Sequence, residues 1–341
     1  MAMIHKGVWA QEDLLFLDSE RMDLRLRRLA SAGVTHLFPC VHRPASGRGV
    51  NFLSDLTDVN PDYPAGDPMR ELIRRAQDHG IQTHPWFCLF KPGAGDGVFR
   101  KYPDSHAVFR GHSPYPEWDR REMKDGRCTD WVCALQPQVQ RHLLELLGEF
   151  AERYRPSGLH LDYVRTGSVC SCGYCTEEMA RFGIDLDPET YDPLNAWWWT
   201  RWRVDRLTGF VRDVRALTRR LGLALSAAVK CFWPRQIPTG AQDWVSWAGE
   251  GLLDDVIPMI YSDSDEFVRQ TIALHRTFPD LNAGRCQYWA GLKKCDSVGA
   301  ITADQLRRQI ALADELGAGG VAVFRENALT DEDVKVLKES L

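Results

Sequence analysis

Apolar residues in this chain follow two alternating patterns. Short, nearly continuous apolar runs occupy 6–10, 35–41, 82–90, 158–164, 224–231, 255–261, 283–289 and 320–325. Between them, apolar residues recur every three to four positions. Leu143, Leu144, Leu147, Phe150 and Ala151 form one such stripe, and Leu207, Phe210, Val211, Val214 and Leu217 another. The first pattern predicts strands and the second predicts amphipathic helices. Several runs follow a small turn, as in Ala32-Gly33-Val34, His79-Gly80-Ile81, Leu221-Gly222-Leu223 and Leu316-Gly317-Ala318. Glycine there fits a helix C-cap that turns the chain into the next strand. Eight strand–helix alternations predict an α/β fold, a single closed (β/α)8 TIM barrel forming one catalytic domain over 1–341. An open doubly wound sheet is the alternative, but no Gly-x-Gly-x-x-Gly follows the first run. Two connections are long, after the third and fourth strands, at 91–135 and 166–200. The first is rich in Gly, Pro, Asp and aromatics, and long ordered loops usually carry function.

Composition sharpens this picture. The 341 residues are 44% hydrophobic and 26% charged, which suffices for a full core. A net charge of −5 with no basic block offers nothing to nucleic acid or an anionic membrane. No segment reads as a bilayer span and the first ten residues have no signal-type apolar core, so a cytoplasmic location is expected. Oligomeric state is not legible. The ten cysteines are not needed as staples in a chain of this size.

The most telling segment is Gly158-Leu-His-Leu-Asp162-Tyr-Val-Arg165. Apolar residues lead into an acid, an aromatic and an arginine, as at the C-terminal end of a barrel strand that carries an active site. Together with His84-Pro-Trp86, Tyr154 to Arg165, Trp202-Arg203, Gln242-Asp243-Trp244, Gly251 and Asp254-Asp255-Val256-Ile257-Pro258-Met259-Ile260-Tyr261, it makes the chain resemble the glycoside-hydrolase-like family 10 proteins. The resemblance runs from Gly7 to Asn327 and implies a barrel hydrolase of carbohydrates. One position departs from the family pattern: Leu161-Asp162-Tyr163 carries one acid where two are expected.

Glycoside cleavage uses two carboxyl groups flanking the scissile bond. Asp162 is the expected nucleophile or principal base, and Glu326, just past the eighth run, the expected general acid. Asp263 and Asp265 are rivals, although one of them fits a helix N-cap. Asp162 also fits a structural partner for Arg165, and Glu326 a partner for Arg325. Sugar rings stack on aromatics while their hydroxyls need polar neighbours. His84, Trp86, Tyr163, Arg165, Lys230, Tyr261, Asp263 and Trp289 are therefore the expected substrate-binding set, with Trp233 a further aromatic at a strand end. Core filling is the alternative for these aromatics, and a satisfied core histidine for His84. Trp198 and Trp202 share a helical face and are expected to pack together. Two other functions stay open: a catalytically silent carbohydrate-binding barrel, and a lyase or aldolase using Lys230 as a Schiff base.

Cys170-x-Cys172-x-x-Cys175 suits a closed, tetrahedral, structural zinc. Free thiols, or a disulfide formed on oxidation, are the alternatives. The run is similar to a cluster in glycoside hydrolase family 42 beta-galactosidases, where one more cysteine lies upstream. By that similarity Cys128 is the fourth ligand, with Cys133 in reserve. No organic cofactor is expected.

Overall fold

A computed structural model describes residues 5–42, 49–93, 96–109, 127–184, 193–297 and 299–340. Eight parallel barrel strands follow one another: β1 (His5–Ala10), β2 (His36–His42), β3 (Gln82–Thr83, resuming at Trp86–Cys88), β4 (Gly158–Asp162), β5 (Ala224–Lys230), β6 (Asp255–Met259), β7 (Gln287–Lys293) and β8 (Gly320–Phe324). Each pairs with the next, and β1 pairs with both β8 and β2, closing the (β/α)8 barrel. Helices such as Ser19–Ser31, Pro137–Tyr154, Pro193–Leu221 and Ala303–Glu315 lie between strands. Leu143, Leu147, Phe150 and Ala151 are buried as the stripe predicts, and so are Leu207, Phe210, Val211, Val214 and Leu217. Gly33 and Gly317 follow their helices at φ +76° and +77°, a conformation side chains resist.

The strand interiors set the layers of the barrel lumen. Because side chains alternate along a strand, every second residue points inward. His5, His36, His84 and Trp289 meet at the N-terminal end through ring contacts of 4.9–5.7 Å. Large rings fit there because neighbours are small: a Cβ on Gly7 would lie 2.6 Å from Phe38, and one on Gly320 2.5 Å from Trp289. Trp9, Trp86, Ala228 and Ile257 fill the layer above. Asp162, Lys230, Lys293 and Phe324 end their strands at the opposite, C-terminal mouth.

One strand differs from expectation. The seventh strand is Gln287–Lys293, not 283–289. Ala283 instead closes the short helix Pro279–Asn282, and Gly284 turns the chain at φ +70°. Gly291 is required inside the strand. A Cβ there would lie 2.7 Å from the Pro258 carbonyl oxygen of β6. Trp289 therefore belongs to the bottom of the barrel, where it donates its indole N–H to Asp255 at 2.9 Å. It does not reach the mouth as a sugar platform. Lys293 takes that strand end instead.

Candidate active site and thiolate cluster

Asp162 ends β4 almost fully buried. Its Oδ2 accepts the Trp86 indole N–H at 3.0 Å, and its Oδ1 accepts the Tyr163 backbone N–H at 2.6 Å. Arg165 Nη1 stands 3.4 Å from Oδ1. Donors thus approach both oxygens. Tyr163 sits at φ +50°, which turns the chain sharply away from the strand. Its ring lies under the Arg165 guanidinium at 4.2 Å and edge-on to Trp131 at 5.6 Å. Lys91 Nζ is 5.5 Å from both ring centroids and 3.8 Å from Asp130.

Tyr261 lies two residues past β6, stacked on Phe324 at 5.4 Å. Burial, then the negative charges of Asp162 and Asp296, hold its phenol well above the usual range. Asp296 follows β7, with Oδ1 3.6 Å from Lys293 Nζ and accepting the Gly299 N–H at 3.0 Å. The shift of strand seven hid this acid from sequence reasoning. The lysines in Gly291-Leu-Lys-Lys-Cys-Asp296, following an apolar run, were the available signal. Lys230 ends β5 half-buried, anchored by Gln242 on its N–H and Trp244 on its carbonyl.

Other expected site residues lie elsewhere. Glu326 is buried in a short 3-10 turn and faces the helix Ser19–Ser31, where Arg25 grips both carboxylate oxygens. Arg25 also holds Asp13 at 3.0 Å. Among the described contacts Glu326 shares no partner with Asp162. His84 lies two side-chain layers below Asp162 and contacts Ser226 Oγ at 3.1 Å. Burial lowers its pKa to about 3, so it is a neutral core histidine. Trp86 is 7% exposed and forms the floor beneath Asp162. Asp263 is exposed, Asp265 pairs with Arg308, and the N-cap between them is Ser264, not either acid. Trp233 opens a helix and donates to Asp243. Trp199, rather than Trp198, stacks on Trp202 at 4.5 Å.

The cysteines converge, with one change of partner. Cys133, Cys170, Cys172 and Cys175 are buried with their sulfurs all within 4.8 Å of one another. Cys133 and Cys175 approach to 3.6 Å. A tetrahedral zinc with Zn–S near 2.3 Å places its sulfurs roughly 3.8 Å apart, so four thiolates here fit a closed metal site. The three neighbouring sulfurs drive the Cys172 thiol down while the same cluster pushes Cys133 up. Four thiolates together need a cation to share their charge. Cys128 is buried on the same hairpin, with its carbonyl contacting the His106 ring at 2.7 Å, and is not in the cluster. Cys128 lies within the strand Arg127–Val132, whereas Cys133 lies just past its end.

A closed parallel barrel with a buried carboxylate and stacked aromatics at its C-terminal mouth is a barrel of the glycosidase type. The chain belongs to the glycosyl hydrolase-like 10 family, whose sequence profile matches residues 6–278. No curated protein matches it. Among solved structures it is similar to the PgaB (BpsB) glycoside hydrolase domain from Bordetella bronchiseptica, at 14% identity and TM-score 0.77, covering 99% of each chain. It is also similar to alpha-L-fucosidase isoenzyme 2 from Paenibacillus thiaminolyticus, at 14% identity and TM-score 0.68, covering 99% of this chain and 49% of that one. A beta-galactosidase from the psychrophilic Marinomonas ef1 matches at 12% identity and TM-score 0.67, over 98% of this chain and 58% of that one. At such identities these likenesses establish the fold. No helix among the described residues is long and apolar enough to cross a membrane.

Proposed function

We propose that the protein hydrolyses O-glycosidic bonds of an oligosaccharide or glycoconjugate at the C-terminal mouth of the barrel. The observation that carries this reading is Asp162, a buried carboxylate held by Trp86, Tyr163 and Arg165 in a family of glycosidase-type barrels. Burying a carboxylate is costly, and donors of this kind fix its orientation as a nucleophile or base requires. In this reading Asp296, which follows β7 at the C-terminal mouth 3.6 Å from Lys293 Nζ, takes the place of Glu326 as the second carboxyl group. One carboxyl group protonates the leaving oxygen while the other attacks the anomeric carbon or takes a proton from water. Tyr163, Arg165, Lys230 and Tyr261 line the sugar's approach. The thiolate cluster holds zinc in a structural role, which suits a reducing, cytoplasmic setting.

A silent carbohydrate-binding barrel is the second reading, favoured by the capture of Glu326 by Arg25. A panel of 4-nitrophenyl glycosides decides between the two. Turnover by the wild type that Asp162→Asn abolishes, with the circular dichroism spectrum unchanged, supports the hydrolase. Sugar binding without turnover supports the silent barrel.

A further inference from the structure

The mouth is walled on one side by a small apolar cluster separate from the barrel core. Ala107, Phe109, Trp131, Leu135, Trp199 and the cysteines make this cluster. Tyr163 is the only described residue that packs against both it and the lumen cluster of Trp9 and Trp86. The wall is built from two loops. The strand pair His106–Val108 and Arg127–Val132 lies in the loop after β3, and Cys133 directly follows it. Cys170, Cys172 and Cys175 lie in the loop after β4. The loops are stitched by Val108 N–H to Cys170 Sγ at 3.4 Å and Ser171 N–H to the Val108 carbonyl at 2.7 Å. At Gly167 the second loop presses against the first so closely that a Cβ would lie 2.5 Å from Phe109 and 3.1 Å from Trp131.

We propose that Trp131 is a positioning residue for Asp162, acting through Tyr163, and that metal held by the four thiolates fixes Trp131. The chain of contacts is short. Cys133 stands two residues from Trp131. Trp131 abuts the Tyr163 ring at 5.6 Å, and the Tyr163 N–H is the 2.6 Å donor to Asp162 Oδ1. A two-stranded ribbon with so little apolar cover is marginal alone. Three of the four thiolates come from one loop and one from the other, so a metal bound by all four cross-links them and contributes binding energy to that local fold. The site thus acts on the geometry of the mouth rather than on the barrel, whose own core is contiguous and separate.

This inference rests on the proposed function only for its consequence, since its test uses no sugar. Hydrogen exchange read by mass spectrometry is compared among zinc-loaded wild type, chelator-treated wild type, and zinc-loaded Trp131→Ala and Trp131→Phe. Chelation is expected to raise exchange over 105–109, 127–133 and 162–175 while β1, β2 and β6–β8 keep their protection. Trp131→Ala is expected to retain zinc and protection at 170–175, yet raise exchange at 162–165 about tenfold. Trp131→Phe, which restores a ring, is expected to recover most of it. Unchanged exchange at 162–165 in Trp131→Ala overturns the proposal. So does loss of protection throughout the barrel on chelation, and so does failure to bind zinc. Loss of glycosidase activity in every assay would sink the hydrolase reading and leave this coupling standing.

Discussion

Trp86 donates its indole N–H to Asp162 Oδ2 at 3.0 Å from the neighbouring strand, one layer below the mouth. The bond ties the carboxylate to the most rigid part of the molecule. Trp86→Phe keeps the ring and removes the donor. It is expected to lower kcat on an aryl glycoside by roughly ten- to a hundredfold, because hydrogen bonds to charged groups contribute about 1.5–3 kcal/mol. An unchanged kcat with a raised KM would assign Trp86 to binding alone.

Asp296 and Glu326 should respond in opposite ways. Asp296→Asn is expected to cut turnover at least a hundredfold for substrates with poor leaving groups and less for 4-nitrophenyl glycosides, if its task is protonation. Equal losses on both would make it the nucleophile or base. Glu326→Gln is expected to leave kcat within about twofold. It should lower stability by roughly 1–3 kcal/mol, since it weakens a buried charged contact with Arg25. Urea unfolding and steady-state kinetics on the two variants measure this contrast.

Metal analysis of protein purified without added metal should find about one zinc per chain. Cys133→Ser should lose it and Cys128→Ser should keep it, because Cys133 completes the cluster. The reverse result would restore the ligand set expected from family 42.

Asp255 gives a pH dependence. Burial raises its carboxyl to about 6, with the Trp289 N–H opposing the shift. An acid with a raised folded pKa binds its proton more tightly when folded, so stability falls as pH rises from about 4 to about 6. Asp255→Asn should add up to about 2–3 kcal/mol at pH 7 and flatten that slope. Denaturant melts at pH 4 and pH 7 test both points.

Lys230 is expected to bind rather than to react. Borohydride treatment with carbonyl substrates should leave its mass unchanged, whereas a stable adduct at Lys230 would move the protein to Schiff-base chemistry.

The sequence by itself determined the barrel, the position of Asp162 at the end of a strand and three of the four clustered cysteines. These are local facts. Strand and helix periods, a carboxylate at the end of an apolar run, and Cys-x-Cys-x-x-Cys all lie within a few consecutive residues. Tertiary structure decided the rest. Strand seven moved by four residues because the Pro258 carbonyl of β6 needs Gly291 opposite it, and that shift put Lys293 and Asp296 at the mouth and Trp289 at the bottom. Glu326 meets Arg25, which is distant in sequence, on the helix Ser19–Ser31. Cys133 takes the place expected for Cys128 because the chain, just past the strand Arg127–Val132, brings its sulfur beside those of Cys170, Cys172 and Cys175. Spacing along a chain sets which way a side chain points on its own element, while the partner it meets depends on where a distant element packs.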